Sequence, residues 1–117
     1  MAAEYQNTDA NYRMVRQAII DKNVVVASYR GYVREMCPHV IGAKNRYAQA
    51  LLYQFGGGSR NGLKPDGSPN NWRCLRVDEL SEVSIRNSPT EWHTASNYSS
   101  MQTCVDEIDI RIEAKSA

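Results

Sequence analysis

The sequence predicts a mainly β domain with one N-terminal α-helix, its strands forming a small barrel or a strongly bent sheet. Three observations lead there. Apolar residues recur at helical spacing only in residues 8–22, while the later apolar stretches are short, β-branched and bounded by turn residues. About six such stretches follow the helix. No second helical pattern is long enough to cross over between parallel strands, so neighbouring strands should pair antiparallel. At 117 residues the chain fits one domain, 1–117, able to bury a core without covalent staples.

Thr8 or Asp9 is expected to cap the helix, whose stripe is Tyr12, Val15 and Ile19, widened by Met14 and Ala18. It should end near Lys22-Asn23. Residues 24–85 form the expected β core. Val24 to Tyr29 is a β-branched strand, Arg30-Gly31 turns the chain, and Tyr32 to Cys37 returns as a hairpin partner. Pro38 has no N–H to donate and should mark a strand end or edge, with Val40-Ile41 carrying the extended chain on to Gly42. Tyr47 to Phe55 is the next strand. Residues 56–71 hold five of the seven glycines and read as one long loop. Trp72 to Val77 and Leu80 to Ile85 are strands either side of the acidic Asp78-Glu79, and Asn87-Ser88-Pro89 turns the chain. Thr90 to Thr103 suggests a short helical turn. The final strand lies within 104–115, where Ile108, Ile110 and Ile112 alternate with polar residues.

Charge is unevenly spread along this plan. The formal net charge is +1, yet nine Lys or Arg against two acids lie between Lys22 and Arg76, and eight acids against three Lys or Arg follow from Val77. A local basic field attracts anions that the net charge does not suggest. Strand parity sorts these cations. Arg34 shares a face with Met36, and Arg73 with Leu75 and Val77, so both lean toward the apolar side; Arg30 and Arg76 are more easily held in solvent. An inward Arg needs an anion or several acceptors. Glu35 and Glu79 could supply internal pairs, or a ligand could supply the charge.

The Val-rich strand ending at Tyr29, then Arg34-x-Met36-x-Pro38, the strand carrying Tyr47, and Arg73-x-Leu75-Arg76-Val77-Asp78-x-Leu80 together resemble the WYL domain. The resemblance runs from Val15 to Val83, with Arg46 and Ala48 flanking Tyr47 where the family has Trp and Leu. It implies an SH3-like or Sm-like β-barrel and a bacterial, non-catalytic module that senses ligands or binds nucleic acid in transcription regulation or defence. It also implies a basic pocket around Arg34, Pro38, Tyr47 and Arg73, in a stand-alone version of the domain. The expected ligand-binding set is therefore Tyr29, Arg34, Tyr47, Arg60, Trp72, Arg73 and Arg76, taking nucleic acid or a nucleotide-like, phosphate-bearing anion. Rings can stack on bases while Arg forks take phosphates. The competing reading is a protein-interaction adaptor working through the acidic C-terminal strand; a protein partner and self-association both stay open.

Other chemistry is less supported. The Gly56-Gly57-Gly58 loop lacks the Gly-Lys-Ser/Thr ending of a nucleotide triphosphate cradle, and reads either as a surface loop or as a cover for a ligand carrying Ser59, Arg60 and Lys64. Cys37 and His39 form no recognisable catalytic set without an orienting third group, and Cys37, His39, Cys74, His93 and Cys104 lack metal-ligand spacing. No enzyme activity, metal or cofactor is expected. Three widely spaced cysteines suggest reduced structural thiols. The opening residues, with Glu4 and no apolar run, suggest a cytoplasmic protein without a membrane span.

Overall fold

The computed structural model describes residues 2–87, 91–99 and 101–113, with side chains from Asp9 onward. Helix α1 (Ala2–Asp21) leads into β1 (Val24–Tyr29), β2 (Tyr32–Lys44), β3 (Tyr47–Gly57), β4 (Trp72–Arg76), β5 (Ser81–Arg86) and β6 (Glu107–Arg111). The fold is mainly β with one N-terminal helix, as expected. The helix starts earlier than Thr8 or Asp9, because Ala2, Ala3 and Glu4 are strong helix formers. Asp9 is an interior residue, paired at 2.6 Å with Arg13 one turn on.

All ladders are antiparallel. The six-stranded sheet runs β4-β3-β2-β1-β5, with β6 on β2. It is an open sheet: no ladder joins β4 to β5 among the described residues. The reason lies in the connection between them. Residues Val77–Glu79 form a 3₁₀ turn that passes beneath α1, where the Asn11 side-chain amide donates to the Val77 and Leu80 carbonyls at 3.2 and 3.0 Å. That crossing carries the chain from one end of the sheet to the other instead of folding it back as a hairpin.

β2 is one continuous strand through Pro38, where a strand end or edge was expected. Its first half pairs with β1 over Tyr32–Met36 and its second with β6 over Val40–Ala43, while β3 lines the opposite side. Pro38 falls in the gap between the two partners, where the missing N–H costs no ladder bond. Residues 91–99 and 101–106 contain turns but no helix, correcting the helical turn expected there; Ser88 to Thr90 and residues 114–115 of the expected last strand lie outside the described residues.

The main core lies between α1 and the inner face of the sheet. Val15, Ala18 and Ile19 pack on Val25, Met36, Ile41, Leu52, Leu75 and Val77, all essentially inaccessible. Burying each of the Val, Leu, Ile and Met side chains contributes roughly 1.5–3 kcal/mol. A smaller cluster of Val40, Leu51, Cys104 and Val105 covers the opposite face, with Trp72 and Tyr98 against it. Here Cys74 and Cys104 form a disulfide, correcting the expectation of three reduced thiols. Spacing alone could not show the pair, because β6 must lie along β2 before residue 104 comes beside β4. No helix among the described residues is long and apolar enough to cross a membrane.

Candidate anion-binding site

At one end of the inner face the core turns polar. Residues paired across a sheet share a face, and the ladders set Met36 opposite Gln54 and Leu52 opposite Arg73. Arg34, two residues before Met36, therefore joins Gln54 and Arg73 on the face that buries the core. Gln54 is fully buried and Arg34 is 6% exposed.

Gln54 organises the cluster. Its amide nitrogen donates to the carbonyls of Gly56 and Gly58 at 2.9 and 2.8 Å, so its oxygen must face the other way. That oxygen accepts from Arg34 Nη1 at 3.2 Å and Arg73 Nε at 3.0 Å. Gly56 and Gly58 thus turn carbonyl oxygens, not amides, toward the cluster. Gly57 is required there: its φ is +81°, and a Cβ would collide with the Val33 carbonyl.

Arg34 also donates to the Tyr29 carbonyl at 3.3 Å, and its guanidinium lies 5.2 Å from the Tyr29 ring centroid and 5.6 Å from that of Tyr32. Arg73 Nη1 is held by the Asn70 and Trp72 carbonyls, while Nη2 turns toward Ser59 Oγ at 3.5 Å. Burial first, and then the charge of Arg73, pushes the Arg34 guanidinium below its ordinary pKa; burial does the same to Arg73. Both stay charged at neutral pH. Among the described residues no carboxylate pairs with either. The internal partners considered from sequence are engaged elsewhere: Glu35 with Arg86, and Glu79 with Arg30 and Arg76.

A cleft of about 330 Å³ opens over this pair, bounded by Arg34 and Arg73 on the sheet and by Ser59, Arg60, Lys64 and Asn70 from the loop. The loop is tied down on its far side. Asn71, 1% exposed, exchanges 2.9 Å bonds with the Lys64 backbone through both ends of its amide. Gly67 N donates to the Tyr53 hydroxyl at 2.6 Å, and Asp66 meets His93 Nδ1 at 2.8 Å, with the His93 ring stacked on Phe55.

The structure thus brings Arg34, Arg60 and Arg73 together, with Tyr29 beneath Arg34. It does not bring in the other three expected residues. Tyr47 is exposed at the β2–β3 turn and lies 3.7 Å from the Arg76 guanidinium, which is in turn held by Asp78 at 2.6 Å. Trp72 faces the opposite side of the sheet, its indole donating to Asn97 at 2.9 Å beside a second groove formed with Leu51, Tyr98 and Met101. Sequence reasoning missed Gln54, Asn70 and Asn71. The signal for Gln54 was available, since it continues the Ala50, Leu52 parity into the core.

The other candidate chemistry is accounted for by packing. Burial pushes the Cys37 thiol up to about 12, and its sulfur accepts from His93 N at 3.2 Å. His39, held within a cage of Trp72, Trp92 and Tyr98, donates from Nδ1 to the Cys37 carbonyl and accepts at Nε2 from Thr94 Oγ1. Both ring nitrogens are therefore committed away from the thiol, and burial lowers the imidazole to about 4. Compared with known protein families, with characterised proteins and with solved structures, the chain matches none.

Proposed function

We propose that this chain is a non-catalytic binding module whose cleft takes a phosphate-bearing anion, a nucleotide-like molecule or nucleic acid, and thereby regulates a partner. The observation that carries the reading is the sharing of the Gln54 oxygen by Arg34 and Arg73 without a carboxylate between them. One buried and one partly buried cation, held only by neutral acceptors among the described residues, leave an electrostatic demand that an anion meets. Arg60 and Lys64 supply two more charges from the rim. The WYL resemblance agrees with this reading, and the open sheet would then be an SH3-like or Sm-like barrel left unclosed at one seam. A bacterial regulator is part of the same proposal, while the Cys74–Cys104 bridge weighs against the cytoplasmic location expected from the sequence and toward an oxidising compartment.

Calorimetry with inorganic diphosphate at low salt tests the reading. The wild type should bind, and Arg60→Gln with Lys64→Gln should weaken binding at least about tenfold while leaving thermal melting unchanged. Wild-type protein that binds neither diphosphate nor an oligonucleotide would falsify it.

A protein-interaction role has one observation of its own. β6 pairs only with β2 among the described residues, leaving a second edge beside the 39% exposed Ile108. If that edge recruits a partner, Ile108→Lys abolishes capture of the partner and leaves diphosphate binding intact. Capture that survives the lysine removes the edge from consideration.

A further inference from the structure

We infer that the cleft reads a terminal phosphate, the dianionic phosphomonoester or diphosphate end of a nucleotide or strand, and is blind to the base attached to it. The inference rests on the anion-binding reading above and narrows its ligand. Its first support is what lines the cleft. Among the described residues the walls are Arg34, Arg73, Arg60 and Lys64 with serine, asparagine and glycine, and they include neither an aromatic ring nor an acid. Sites that grip the interior of a single strand combine a basic track with rings on which successive bases stack. Here no ring lines the cleft among the described residues. Tyr29 and the 38% exposed Tyr32 flank the Arg34 guanidinium without lining the cleft, Trp72 faces the other side of the sheet, and the exposed Tyr47 stacks with Arg76 at the β2–β3 turn.

The second support is the set of little-used donors that line one cleft. Arg34 Nε and Nη1 are spent on Tyr29 and Gln54, leaving Nη2 without a bond among the described residues. Arg73 Nη2 has, among the described residues, only the long contact to Ser59 Oγ, which also lines the cleft. Arg60 and Lys64 line the same cleft from the loop. Such a cluster suits one compact group that carries close to two charges and three acceptor oxygens, as a terminal phosphate does. An internal phosphodiester brings one charge, two free oxygens and two ester arms that must both leave the cleft.

Fluorescence anisotropy with one short single-stranded DNA, carrying either a 5′-phosphate or a 5′-hydroxyl, tests the inference, with ADP and adenosine as competitors. The phosphorylated strand should bind at least about tenfold tighter, changing its first base should alter affinity less than about twofold, and ADP should compete where adenosine does not. Arg60→Gln should bring the phosphorylated strand to the affinity of the hydroxyl strand without changing the melting temperature. ADP binding as tight as the strand identifies free nucleotide as the source; a much tighter strand identifies a strand end. Equal binding of the two strands overturns the terminal-phosphate inference while the anion site stands. A strong base preference overturns it too. Loss of all binding, diphosphate included, removes the anion site itself.

Discussion

Two clusters of arginine on this sheet have opposite electrostatics. At the β4–β5 corner Arg76 meets Asp78 and Glu79, and Arg30 reaches Glu79 at 3.5 Å, so cations from the basic segment are neutralised by the acids that follow it. At the Gln54 end Arg34 and Arg73 have, among the described residues, only neutral partners: an amide oxygen, backbone carbonyls and the Ser59 hydroxyl. The uneven charge along the chain is therefore not the uneven charge of the folded surface. Folding cancels part of the basic segment and leaves the rest concentrated at one cleft.

The contrast breaks most sharply at Gln54. Gln54→Leu removes the shared acceptor from two arginines and the donor from two glycine carbonyls, and should lower stability by about 3–4 kcal/mol in urea denaturation. Gln54→Glu loses the same amide donor but turns the shared acceptor into a carboxylate. A carboxylate between Arg34 and Arg73 would give the cleft the internal neutralisation the other corner already has, and anion binding should fall at least about tenfold. Retained diphosphate binding in that variant would mean that the pair is not the seat of the anion.

Next in size is the disulfide, which separates stability from the cleft. Cys74 and Cys104 close a loop with a sequence separation of 30, and replacing both with serine should cost about 3 kcal/mol in the same denaturation measurement. The bridge lies with Trp72 on the face opposite Arg34, so diphosphate affinity measured under native conditions should not change.

His39 gives a comparable loss through pH. In the unfolded chain its imidazole takes a proton near the ordinary 6.5, and in the folded chain only near about 4. Between these values the unfolded state binds more protons, so stability is complete above pH 6.5 and declines as the pH falls toward 4, by about 3 kcal/mol in all. Urea midpoints for wild type and His39→Gln should converge over that window. Parallel curves would show that another group carries the acid sensitivity.

Much of the cleft could be read before folding, and the reasons are specific. Parity alone put Arg34 beside Met36 and Arg73 beside Leu75, and the ladders keep both on the core face. Parity also places Gln54 on that face but does not show its role as their shared acceptor, which appears only when the Gly56 and Gly58 carbonyls are seen to fix its amide. Tyr47 and Arg76 were drawn into the site by their place in a motif, yet the β2–β3 turn carries Tyr47 away and Asp78 claims Arg76. The opposite case is the loop 56–71. Its glycines suggested freedom, while Asn71 and Tyr53 pin it through bonds that depend on long-range pairing of β3 with β4.

The smallest expected effect sharpens the comparison from the neutralised side. Exposed ion pairs contribute little to stability because water and salt already screen them. Arg76→Gln should therefore leave the urea midpoint within error and diphosphate binding unchanged, although Arg76 sits three residues from Arg73. The informative variant is the reverse one. Asp78→Asn with Glu79→Gln releases Arg30 and Arg76 from their partners, creating a second exposed cationic cluster without the buried amide and loop that enclose the first. If charge alone makes a site, that variant gains a second diphosphate stoichiometry in calorimetry. If enclosure by Gln54, Asn70 and the tethered loop is required, it binds one equivalent, as wild type should, and only the salt dependence of its association changes.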